Sequence, residues 1–90
     1  MARKIFKYYL NPDRVGEVQT VHLPTNSATI LNAAYQREEL VIWAEVDPEG
    51  TPTDHPFWLA FTGMSAPGDE WQYLKMVEND GIVIHIYYGR

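Results

Sequence analysis

His22, His55 and His85 are the side chains best suited to acid-base or metal chemistry, and their spacing supports neither. No HxH, HxxxH or HExxH pattern links them, and without cysteine a zinc site would need carboxylates from distant strands. No metal and no other cofactor is expected. Asp54 and His55 are adjacent, but neighbours on an extended chain point to opposite sides and cannot orient one another as a catalytic relay requires. Ser27 and Ser65, the two serines, lie outside any Gly-x-Ser-x-Gly elbow, and no glycine-rich phosphate loop is present. The expectation is a protein that is not an enzyme and has no catalytic residues.

Aromatic rings are the chain's richest chemical resource: three Trp, six Tyr and three Phe among 90 residues. Rings bury large areas at little entropic cost, so an open ring-bearing face suits an oligomer interface or a stacked planar ligand. Trp58, Trp71 and Tyr73 are the expected ligand-binding rings, with Arg37 to meet a phosphate, while Trp43 is expected in the core. Arg14, Lys75 and Arg90 are further cations available to stand beside such rings.

Strands must position these groups. Leu40 to Asp47 carries Leu40, Ile42, Ala44 and Val46 on one register and Val41, Trp43 and Glu45 on the other, the pattern of a central strand that needs cover on both faces. Ile5 to Leu10, Gln19 to Leu23, Pro56 to Gly63, Trp71 to Glu78 and Ile82 to Tyr88 alternate in the same way. The Pro56 strand is expected to pair with the Leu40 strand, and the Gln19 strand to lie at an edge. Asn79-Asp80-Gly81 reads as a hairpin turn because Asp-Gly tolerates positive φ. Ser27 to Gln36 fits neither period cleanly; its alanines permit a short helix, but the polar Gln36-Arg37-Glu38-Glu39 before the Leu40 strand favours a hairpin and hence a strand. The fold class that follows is all-β, or α+β if that one segment is helical: a small antiparallel sandwich or barrel of about seven strands in a single domain.

Ninety residues bury only about 60 to 65% of their unfolded surface, so a homo-oligomer is expected to hide what one copy cannot. Twelve acidic against seven basic residues give a net charge of −5, which argues against duplex nucleic acid as a partner. No apolar run long enough for a signal peptide or membrane span follows the basic start, so the expectation is a cytoplasmic protein without membrane contact.

Four stretches carry a resemblance: Lys4-Ile5-Phe6-Lys7-Tyr8, Leu40 through Trp43-Ala44-Glu45-Val46-Asp47-Pro48, Phe57 through Thr62-Gly63, and the closing strand with His85. Together they resemble a family of small, mostly uncharacterised proteins of bacteriophages and prophages. Where that family commonly has Gly-Thr-Gly this chain has Phe61-Thr62-Gly63, and where a basic residue is usual it has His55-Pro56. The resemblance implies expression in the cytoplasm of an infected bacterium. With no catalytic residues in view, the functional expectation is an accessory protein that acts by binding: an oligomeric sponge for a nucleotide-like immune signal of the host. The rival expectation is an inhibitor that binds a host protein, a defence complex or enzyme.

Overall fold

The alternating stretches become seven antiparallel strands in two sheets, seen in a computed structural model that describes residues 2–89. The strands are β1 (Lys4–Leu10), β2 (Val18–Leu23), β3 (Thr29–Gln36), β4 (Glu39–Val46), β5 (Thr53–Phe61), β6 (Trp71–Asn79) and β7 (Ile82–Gly89). One sheet has the order β1-β4-β3 and the other β2-β5-β7-β6, stacked face to face as a sandwich with no helix among the described residues. The Ser27 segment is thus a strand, β3.

Between the sheets lies the core, built from one register of each strand. Leu40, Ile42, Ala44 and Val46 of β4 face Leu23 of β2, Phe57 and Leu59 of β5, and Ile84 and Ile86 of β7, all of them buried. As expected, β4 is central in its sheet and β2 is an edge. The β5 strand, however, pairs with β2 and β7, not with β4, so the two most apolar strands sit in opposite sheets. Both are apolar on the inward register, and across the sandwich each covers the core face of the other.

A β-bulge explains why β3 matches no simple period. The register shifts between Ile30 and Asn32, so the inward residues run Ala28, Ile30, Ala33, Tyr35 with a step of three in the middle. A second bulge, between Tyr73 and Lys75, does the same to β6: Trp71 and Tyr73 start on the outer register, yet Val77 is buried in the core. Strict alternation had placed Trp71, Tyr73, Lys75 and Val77 on one face, and the extra residue separates them.

Both hairpin turns hold two residues at positive φ: Arg37 (51°) and Glu38 (69°) between β3 and β4, and Asp80 (53°) and Gly81 (80°) between β6 and β7. This is the turn geometry that matches strand twist, and only the second has the glycine it favours. Glu38→Gly should therefore raise stability by about 0.5 to 1 kcal/mol, the relief of left-handed strain less glycine's added freedom when unfolded. A urea-unfolding midpoint below that of the unaltered protein would contradict this.

The outer side of β4 is covered only in part within the chain. Val41 is fully buried on that side, shielded by the longer side chains around it, and Trp43 is half-buried there, outside the core that was expected to hold it.

Candidate functional site

Pairing across the four-stranded sheet brings outward residues of β5, β7 and β6 into rows. Trp58 of β5 is cross-strand from Tyr87 of β7, which is cross-strand from Tyr73 of β6. Trp71 lies opposite Gly89, which offers no side chain, and its ring packs toward Trp58 at 6.0 Å between centroids with the planes tilted by 59°. Tyr73 meets Tyr87 edge to face at 5.1 Å, a favoured arrangement of ring quadrupoles. Four rings thus form one continuous outer surface, with Tyr73 42% exposed.

His85 extends this surface by a hydrogen-bonded chain. Its Nδ1 is 2.9 Å from the Tyr73 hydroxyl and its Nε2 is 2.8 Å from Thr62 Oγ1. Whichever nitrogen carries the proton, one hydroxyl donates and the other accepts, so the imidazole is fixed in orientation. A shallow hollow of about 190 Å³ opens beside it, lined by Ala60, Thr62, Gly63, Met64, His85 and Tyr87 among others. Beneath the rings, Trp58 Nε1 is shut off from solvent with no hydrogen-bond acceptor, an unmatched donor that costs about 1 to 3 kcal/mol.

The structure brings Trp58, Trp71 and Tyr73 together and leaves Arg37 elsewhere. Arg37 is in the β3–β4 turn, on the outer side of the other sheet. Arg14 is engaged by Glu17 and by the Val18 carbonyl, and Lys75 donates to Asn32 Oδ1 across the edges of the two sheets. Arg90 lies outside the described residues. Sequence reasoning did not assign Tyr87, His85 or Thr62 to this face, although the Val83, His85, Tyr87 alternation of the last strand held the signal.

Asp54 and His55 do diverge: Asp54 Oδ1 meets His22 Nδ1 at 2.8 Å on the outer face, and His55 Nε2 meets the Thr25 carbonyl oxygen at 2.8 Å on the inner side. The His22–Asp54 pair is solvent-exposed, where such pairs contribute little. Among the described residues no group of three or more His, Asp or Glu side chains is placed to hold a metal ion.

Burial, and secondarily the neighbouring Tyr87, raises the Tyr73 pKa above its usual 10.0. Tyr8 is raised by burial, and Tyr35 by burial and then by Asp13. In all three the fold favours the neutral phenol, so the unfolded chain gives up these protons first. Their contribution to stability is complete below about pH 10 and declines as pH rises through the folded values. Urea midpoints measured from pH 8 to 11 should fall beyond pH 10; midpoints that hold or rise would refute the assignment.

Comparison with known proteins adds one decisive match. A family described as Domain of unknown function (DUF7352) matches residues 1–90. The chain belongs to the DUF7352 family. No curated protein and no solved structure matches it. The DUF7352 match spans every strand of the sandwich, including the three that carry the ring face.

Proposed function

We propose that the protein acts by binding, without catalysis, and that the ring face of the four-stranded sheet takes the flat ring of a nucleotide-like molecule. The observation that carries this reading is the gathering of Trp58, Trp71, Tyr73 and Tyr87 on one outward surface, each of them in ring contact with one other. Every nucleobase offers a π-face, and stacking on an aromatic side chain is worth about 1 to 3 kcal/mol per base. The unmatched Trp58 N–H is a donor that a base acceptor would satisfy once the neighbouring rings part.

Among the described residues, a phosphate on such a ligand finds no free arginine on this face. Arg37 belongs to the opposite outer side of a body 17 Å through its thinnest axis, so the rings and the Arg37 guanidinium meet one nucleotide only if two copies supply them. This supports a homo-oligomeric sponge, with the ligand between copies. In the phage setting that the sequence resemblance implies, the ligand is an immune signal of the bacterial host, removed stoichiometrically in its cytoplasm.

The test is a titration of tryptophan fluorescence with mono- and dinucleotides. Saturable quenching is expected, weakened by about 5- to 150-fold in Trp58→Ala and Trp71→Ala, the loss of one stacking contact. Equal affinity in both variants, with folding intact, removes the ring face as the site.

One observation favours a second reading, an inhibitor that binds a host protein. The β1 strand is an unpaired edge with Ile5 61%, Phe6 39% and Tyr9 56% exposed, open to an added strand. Native mass spectrometry after exposure to bacterial lysate separates the two: a small added mass per assembly supports capture, and a retained host protein supports inhibition.

A further inference from the structure

We infer that the outer face of the three-stranded sheet holds a separate site for an oxyanion, a phosphate or carboxylate group, between Lys7 and Arg37. In the proposed sponge this is the Arg37 that a second copy would set against the ring-bound nucleotide, but its hold on a free oxyanion does not require the ring face, which lies on the other sheet.

Three strands build it. Tyr9 of β1 is cross-strand from Val41 of β4, and Gln36 closes the β3–β4 hairpin opposite Glu39, so all four point outward around a recess of about 390 Å³. Val41, fully buried, is its apolar floor, and Lys7 and Arg37 complete the wall. Lys7 Nζ donates to Gln36 Oε1 at 2.9 Å and sits 5.8 Å from the centre of the Tyr9 ring. That bond places the ammonium while leaving it two further N–H donors, and it turns the Gln36 carbonyl toward Lys7 so that the amide NH₂ is left to donate.

Arg37 makes no hydrogen bond or ion pair with any described residue. The recess therefore combines two cations with a single carboxylate, Glu39, in a protein whose net charge is −5. A guanidinium fork matches the paired oxygens of phosphate or carboxylate, and the lysine adds a point charge beside it. The backbone under Arg37 is at φ 51°, where glycine or asparagine would rest more easily. The turn sends its two central side chains apart: Arg37 lines this recess, and Glu38 lines a different hollow with Asp13 and Tyr35. The cation is thus presented to the recess and the neighbouring acid is kept out of it, at the cost of strain in the turn.

The experiment is an NMR titration of the ¹⁵N-labelled full chain with inorganic pyrophosphate and, in parallel, with citrate, at low ionic strength. Saturable shifts are expected at the amides of Lys7 and of residues 36–39. Pyrophosphate alone acting assigns the site to phosphate, citrate alone assigns it to carboxylates, and both acting assigns it to oxyanions in general. Arg37→Gly, which keeps or relaxes the turn, should unfold at or above the urea midpoint of the unaltered protein yet bind at least tenfold more weakly, and Lys7→Met should weaken binding to a similar extent. No saturable shift with either anion, or unchanged affinity in Arg37→Gly, overturns the proposal. The readout is these amides and not tryptophan fluorescence, so its failure withdraws Arg37 from the shared nucleotide but leaves stacking on the ring face standing, and a failed fluorescence titration leaves this site standing.

Discussion

Phe57→Ala is expected to remove about 3 to 5 kcal/mol of stability, the largest effect of any single truncation in the molecule. Phe57 is the largest fully buried side chain, placed mid-strand in β5 with Gln19 of β2 on one side and Tyr88 of β7 on the other. Removing the ring takes away its transfer free energy and leaves a cavity, because partners drawn from both sheets cannot collapse onto an alanine without shifting the sandwich. At about 0.05 to 0.15 kcal/mol per residue, a chain of 90 has some 5 to 13 kcal/mol in all, so the loss is a large share. Urea unfolding should show a much lower midpoint at unchanged slope, and Phe57→Leu should recover most of it. A loss under about 1.5 kcal/mol for the alanine variant would mean that the two sheets do not close on this ring.

Gln19→Leu should destabilise by about 2 to 4 kcal/mol, although leucine nearly preserves volume. Gln19 is buried and clamps the β1–β2 connection: its Oε1 accepts from the Asn11 N–H at 2.8 Å, and its Nε2 donates to the Asn11 carbonyl at 2.9 Å and more loosely to that of Arg14 at 3.4 Å. The side-chain amide thereby acts as a substitute for a backbone strand partner where the chain crosses from one sheet to the other. Leucine offers neither donor nor acceptor, so the Asn11 N–H must find water or stay unpaired, and the Asn11 carbonyl keeps only the Arg14 N–H at 3.2 Å. Hydrogen exchange gives the sharper readout, since the Asn11 amide should lose protection before the strands around it do. Unaltered protection at Asn11, or a loss below about 1 kcal/mol, would show that the clamp is dispensable.

These two predictions differ in how visible they were from the chain itself. An apolar residue inside an alternating run, such as Phe57, is legible as core because side-chain period alone assigns it to a face. Gln19 is not, because nothing local says that a glutamine turns inward; only the path of Asn11 to Arg14 over the sheet edge supplies its partners.

The candidate site divides along the same line. Trp58, Trp71 and Tyr73 were readable as rings held on strands, but their union depends on β5 and β6 both pairing with β7, and on the bulge between Tyr73 and Lys75 that turns Val77 inward while Trp71 and Tyr73 stay out. Arg37 was readable as a cation in a tight turn, yet its sheet, and hence its separation from the rings, was not. Composition, charge and residue alternation determined strand number, the two registers of β4, the absence of familiar catalytic motifs and the Asp80-Gly81 turn, since each is set by neighbours within a few residues. Which strands share a sheet, where a bulge reverses the faces and which side chains meet across strands were decided by tertiary structure alone. Pairing partners are chosen by the total apolar area that the whole sandwich can bury, a quantity that no single segment contains.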